Sequence, residues 1–301
     1  MLSNRFAVVL TTAIAPALWG TTYMTSTAFL PSGHPLLIAT IRAIPAGLIL
    51  LLVARRLPTG SWWWRSCVLG AVNIGIFFAC LFVAADRLPG GVAAVVGGIQ
   101  PLLVALLGWR LLSERLTVIT AIAGTAGVVG VALIVAPSGA PLDPIGVAAA
   151  LGGAVSMAVG TVLTKRWGTG QPPLAMTAWQ LLAGGLLLAT LTALVEPLPV
   201  ALPTAPQLSA YAYLSLVGTA LAYALWFRGV ASLPTRIPAF LGLLSPMVAV
   251  LLGLLFAGET LSALQAAGLV IVLASVTAAV AQPRPRTPLV PPVGLEPTLK
   301  R

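Results

Sequence analysis

Ten stretches of about twenty predominantly apolar residues follow one another along the chain, each long enough to cross the hydrocarbon core of a bilayer. They run over 6–29, 35–54, 66–85, 89–109, 118–136, 144–164, 174–195, 208–227, 234–257 and 263–281. Proline, glycine and charge mark the breaks, as at Arg55-Arg56-Leu57-Pro58, Asp86-Arg87-Leu88-Pro89, Pro137-Ser138-Gly139, Trp167-Gly168-Thr169-Gly170 and Glu196-Pro197. In lipid, every backbone polar group needs a partner within its own structure, so only helices and closed barrels span. The alternating pattern of a barrel strand is absent, and the expected fold class is an all-α polytopic membrane protein. Composition agrees: 59% of residues are hydrophobic and 7% are charged, too few to cover a soluble surface. A soluble enzyme, a disordered protein and a disulfide-stapled module are excluded, and the short breaks leave no room for an extramembrane domain.

Lysine and arginine predict the orientation. With the N-terminus in the cytoplasm, fourteen of the sixteen basic residues lie inside; only Arg87 lies outside, and Arg42 falls within the second span. The net charge of +10 therefore reads as an orientation signal. The basic residues form no patch, and no nucleic-acid partner is expected. The run from Phe6 to Leu30 is too long for a cleaved leader and reads as a retained first span. The segment 282–301, with six prolines and no apolar run, is expected to be a disordered cytoplasmic tail. Cys67 and Cys80 lie in one expected helix, roughly 20 Å apart, too far for a disulfide. His34 is the only histidine, and no spacing suggests a metal site or a cofactor.

The chain also repeats itself. Displaced by 145 residues, two segments of about fifty positions align without a gap. Leu88-Pro89 meets Leu233-Pro234, Gly97 meets Gly242, Pro101 meets Pro246, and Glu114 meets Glu259. Upstream the displacement is 137, matching Ala17 with Ala154, Pro35 with Pro172 and Thr40 with Thr177. Each copy holds five spans, an odd number, so the second enters from the opposite face. The expected organisation is two inverted five-helix repeats, 1–137 and 138–281, around a central cavity. Many secondary transporters are built this way, with the binding site at the midplane between repeats.

The sequence resembles the drug/metabolite transporter superfamily, in particular its EamA-type ten-helix branch. The resemblance is carried by Ala17-Leu18-Trp19-Gly20, Arg42, Pro101 with Ser113-Glu114-Arg115-Leu116, Ser245-Pro246 with Gly258-Glu259-Thr260-Leu261, and Tyr223-Ala224-Leu225-Trp226-Phe227. Within that branch it resembles the YddG-type exporters of aromatic and other amino acids. The resemblance implies two five-helix bundles and alternating access.

The polar residues of the spans narrow the chemistry. An ionisable residue at membrane depth is costly and commonly functional. Arg42 is the one case. It either anchors structure, at the outer interface, beside Asp86 or at the carbonyl end of a neighbouring helix, or it faces inward to gate or to contact a substrate carboxylate. Glu114 and Glu259 sit just past the fourth and ninth spans. Capping the following helix is their first reading, and carrying a coupling proton the second. No Asp or Glu lies within a span, so a lone cation would find no counter-charge. This favours a neutral or zwitterionic solute. The amides Asn73, Gln100 and Gln180 must face other helices or a wet cavity. Pro101 and Pro246 frees a carbonyl near Gly97 and Gly242 respectively, and both are expected as helix hinges. Trp19, Thr22, Tyr23, Phe78, Trp179, Tyr223 and Ser245 complete the candidate cavity, with Phe77 and Trp226 as further aromatic wall. Trp62, Trp63 and Trp64 beside Arg65 look like an interfacial belt.

The expectation is a secondary transporter of the bacterial inner membrane, with both termini cytoplasmic, exporting amino acids or similar small neutral or zwitterionic metabolites. Its partners would be the small-molecule substrate and the lipid bilayer; a coupling proton stays open. Multidrug or other metabolite export by the same fold is the alternative. An intramembrane enzyme lacks a nucleophile with a partner, and no Walker motif supports direct use of ATP.

Overall fold

A computed structural model describes residues 2–31, 33–88, 96–135, 143–197, 199, 202–256 and 262–282. These residues form helices and contain no strand. The first three expected spans are α1 (Leu2–Phe29), α2 (Pro35–Ala54) and a helix in three parts. Those parts are α3 (Trp62–Gly70), a π segment (Ala71–Gly75) and α4 (Ile76–Arg87). Next come α5 (Gln100–Leu112), α6 (Val118–Val135), α7 (Pro144–Trp167) and α8 (Pro173–Val195). The eighth span is again tripartite: α9 (Ala205–Ser215), a second π segment (Leu216–Leu221) and α10 (Ala222–Ser232). The ninth is broken into α11 (Arg236–Leu241) and α12 (Leu244–Phe256), and α13 (Ala263–Ala281) is the tenth. Eight spans among the described residues are long and apolar enough to cross a membrane, and α5 and α6 are shorter apolar helices at the fourth and fifth expected positions.

Local sequence explains the helix starts. Proline stands in the first turn of α2, α7, α8 and α9, where its missing N–H has no intrahelical acceptor anyway. Asp143 caps α7 by accepting from Gly146 N at 2.8 Å, and Ser262 caps α13 through a capping box with Gln265. Glu196, at the end of α8, caps a helix of the other half: its carboxylate accepts from Leu36 N at 2.6 Å and Leu37 N at 2.9 Å, at the start of α2.

Packing joins the two halves throughout. α2 lies along α8, and α6 along α13. α4 packs on α7 as α10 packs on α1; α5 packs on α7 as α12 packs on α1. Small residues let backbones meet at these crossings. A Cβ on Gly184 would stand 2.5 Å from Gly70 O, and one on Gly268 would stand 2.6 Å from Gly130 O. An added methyl at either crossing would force the two backbones apart.

Candidate functional site

A cavity of about 310 Å³ opens between α1, α2, α4, α5, α7, α10 and α12, near the small end of the range for small-molecule sites. Trp19, Thr22 and Ser26 face it from α1, Ile38 and Arg42 from α2, and Phe77, Phe78 and Leu81 from α4. Gln100, Met157, Tyr223, Trp226, Gly242 and Ser245 close it from the other side. The walls are mostly apolar, and five of the fourteen lining residues are aromatic. Trp19 stacks obliquely on Tyr223 at 5.1 Å and on Trp226 at 5.0 Å, and Phe78 meets Tyr223 edge-on at 6.4 Å. No acidic residue lines the cavity among the described residues.

Breaks in two helices bring backbone to this space. The ninth span is interrupted at Gly242 and Leu243, and α5 starts at Gln100 after a turn at Gly98 and Ile99. The interruptions lie at equivalent positions of the two halves. Expected as hinges within bent helices, Pro101 and Pro246 instead stand in the first turns of new helices, α5 and α12. The physical cause is the one expected: proline offers no N–H to the carbonyl four residues before it. Gly242 O accepts from Ser245 N at 3.2 Å, a tighter turn that closes the gap.

Arg42 is buried and faces inward. Its Nε donates to Thr219 Oγ1 at 2.9 Å and its Nη2 to Gly218 O at 3.2 Å, both in the second π segment. The guanidinium carbon lies 5.0 Å from the centre of the Phe78 ring. Three further donors of lining residues, Trp19 Nε1, Trp226 Nε1 and Thr22 Oγ1, are buried without a partner among the described residues. An unpaired buried donor costs about 1–3 kcal/mol.

Of the residues expected here, Trp19, Thr22, Arg42, Phe78, Gln100, Tyr223 and Ser245 do line the cavity. Asn73, Gln180 and Trp179 do not. Asn73 Nδ2 donates to Gln180 Oε1 at 2.6 Å and to Thr164 Oγ1 at 3.1 Å, a buried cluster joining the third, sixth and seventh spans. Trp179 Nε1 donates to Arg56 O at 2.8 Å, and its ring stacks on Trp62 at 5.8 Å. Trp62 is thus buried, while Trp63 and Trp64 are exposed as an interfacial belt requires. The side chains of Tyr23 and Asp86, and Glu259 as a whole, lie outside the described residues, as does 283–301.

Glu114 caps a helix, though not the one following it. Its Oε1 accepts from Thr235 N at 3.1 Å and its Oε2 from Thr235 Oγ1 at 2.7 Å, just before α11 in the other half. Sequence reading missed Ser26, Ile38, Leu81 and Met157 in the cavity, and Glu196 as a cap. No local signal pointed to Glu196, since every helix start leaves free N–H groups and this acceptor comes from 160 residues away.

The family model for the EamA-like transporter family matches residues 6–136 and again 144–281, two matches that together cover nearly the whole chain. The chain belongs to the EamA-like transporter family. It is a multi-pass membrane transporter of the drug/metabolite superfamily. Protein PecM of Dickeya dadantii is 48% identical over 263 residues, covering 87% of this chain and 88% of that protein. The uncharacterized transporter YvbV of Bacillus subtilis is 31% identical over 278 residues, 91% of this chain and 90% of its own. The uncharacterized inner membrane transporter YedA of Escherichia coli is 28% identical over 255 residues, 82% of each chain. A solved crystal structure with 22% identity superposes with a TM-score of 0.78 over 91% of this EamA chain and 97% of its own, which speaks for the fold.

Proposed function

We propose that this EamA transporter exports amino acids, or small neutral or zwitterionic metabolites like them, across a bacterial inner membrane by alternating access. The cavity carries this reading. Its volume suits a solute of amino-acid size, its aromatic walls suit an apolar side chain, and Arg42 supplies a partner for a carboxylate. Among the described residues no carboxylate lines the cavity, so an ammonium group would lie against aromatic faces. We read 1–137 and 138–281 as inverted repeats that rock about this cavity. The paired packing of α4 on α7 and α10 on α1, and the matched breaks beside Pro101 and Pro246, support that division. Direction follows the resemblance to amino-acid exporters, and the distribution of basic residues favours cytoplasmic termini.

Counterflow in proteoliposomes with a panel of radiolabelled amino acids, with and without a pH gradient, tests the proposal. The expected result is exchange of at least one apolar or aromatic amino acid that is lost in Arg42→Met. Silence across the panel, where a known exporter works, would remove the amino-acid class. Orientation is tested on a cysteine-free background. Leu202→Cys should react with an impermeant reagent from outside and Thr169→Cys should not; the reverse pattern would invert the topology.

A further inference from the structure

The two π segments stand at matched places in the halves. Ala71 and Leu216, their first residues, are 145 positions apart, the displacement that also aligns the fourth and ninth spans. A π turn carries one residue more than an α turn, so the chain beyond it can shift by a residue when the turn tightens; such turns cluster at functional sites. Each is held by a polar side chain from the facing half. Gln180 of α8 holds the first through Asn73 at 2.6 Å, and Arg42 of α2 holds the second through Thr219 and Gly218.

The two holds differ in charge and in access. The Gln180–Asn73 pair is neutral and lies away from the cavity. Arg42 is charged and lines it. The same guanidinium lies against Phe78 of α4, directly after the first π segment, so it touches both π-bearing spans. Its Nε and Nη2 form one of the edges with which an arginine takes a carboxylate through two parallel bonds. In this structure that edge is occupied by Thr219 Oγ1 and Gly218 O.

We propose that a carboxylate entering the cavity takes this edge of Arg42 from Thr219 and Gly218, and that release of the second π segment is what lets the eighth span move. The inference rests on the cavity being the substrate site. An ionised acceptor outcompetes a neutral hydroxyl and carbonyl for the same donors, because bonds with charge on both partners are the stronger ones. The carboxylate, and not the aromatic body, then licenses translocation. A ligand that fills the aromatic box without a carboxylate binds, leaves Arg42 on the π segment, and blocks.

The test compares indole-3-acetate with indole-3-acetamide, which differ only in that group, on the full-length protein. Counterflow in proteoliposomes reads transport, and hydrogen–deuterium exchange of peptides covering 216–221 reads the hold. Both ligands should raise the melting temperature. Only the acetate should counterflow, and only the acetate should speed exchange at 216–221, by about tenfold, the loss of one charge-assisted hydrogen bond. Thr219→Val and Arg42→Met should speed that exchange without ligand, and the amide should begin to counterflow in Thr219→Val. Equal counterflow of acid and amide in the wild type would overturn the proposal. So would unchanged exchange at 216–221 in both variants. If the variants open 216–221 but neither indole-3-acetate nor any amino acid counterflows, the substrate reading falls and takes the carboxylate trigger with it, while Arg42's hold on the eighth span stands. If indole-3-acetate counterflows with 216–221 unchanged in every state, transport stands and the latch falls.

Discussion

Glu114 offers the cleanest choice between a structural and a proton-carrying role. Its carboxylate takes two donors of one residue, Thr235 N at 3.1 Å and Thr235 Oγ1 at 2.7 Å. Thr235 is fully buried, and Glu114 is half-buried. Glu114→Ala removes both bonds and strands both donors of Thr235. A bond to a charged group contributes about 1.5–3 kcal/mol, and the partial exposure of Glu114 puts the pair toward the low end, at about 3 kcal/mol together. Glu114→Gln keeps one acceptor oxygen but presents an amide N–H₂ to the second donor, and should cost about 1–2 kcal/mol. The order of melting temperatures in detergent should therefore be wild type, Gln, Ala, with several degrees between the ends. Counterflow of the folded variants, with and without a pH gradient, completes the assay. A Glu114→Gln protein that melts like wild type yet loses its response to a pH gradient would refute the capping argument and make Glu114 a proton site.

Trp226→Phe keeps the ring against Trp19 but deletes an indole N–H that has no protein partner. Trp226 is almost fully buried, so the smaller ring leaves a cavity that should cost about 1–3 kcal/mol and lower the melting temperature; a melting temperature equal to wild type would contradict tight packing around the indole. Gly184→Ala drives a methyl against Gly70 O at 2.5 Å, a contact between backbones that no rotamer relieves. It should destabilise by about 1–3 kcal/mol, visible as a lower melting temperature, and wild-type melting would contradict the packing described. Asp143, which caps α7 and meets Arg87 at 3.5 Å, has its carboxyl held below the usual value, first by the Gly146 N–H. A depressed carboxyl stabilises the fold above its unfolded pKa and stops doing so as pH falls through the folded one. The gap in melting temperature between wild type and Asp143→Asn should be steady from neutral pH down to about 5 and close below about 4; a gap that persists at low pH would mean the charge does not matter.

The spans and the membrane were legible in the chain because transfer of apolar residues into lipid is additive along the sequence, and a helix satisfies its own backbone. The repeat was legible because the matched residues, Leu88-Pro89 with Leu233-Pro234 and Pro101 with Pro246, are few and chemically distinctive. Intramembrane Arg42 stood out by cost alone. The three amides did not sort themselves. Asn73, Gln100 and Gln180 are alike in chemistry and depth, yet Gln100 lines the cavity while the other two bond each other. Each helix turns through about 100° per residue, so the direction a side chain faces depends on how its helix is rotated and against which neighbour. Such rotations are set by contacts distant in sequence, such as Gly184 on Gly70.

The same reason hid the caps and the π segments. Glu114 and Glu196 each serve a helix of the other half, 121 and 160 residues away, where local capping rules do not reach. Ala71-Val72-Asn73-Ile74-Gly75 and Leu216-Val217-Gly218-Thr219-Ala220-Leu221 read as ordinary helix, and their extra residue per turn shows only in three dimensions. By itself the sequence determined that the chain folds as apolar membrane helices and that it repeats, because those follow from local hydrophobicity and order along the chain. The tertiary structure decided what lines the cavity, since Arg42, Gln100, Ser245 and the aromatic side chains Trp19, Phe78, Tyr223 and Trp226 come together only after the two halves have packed.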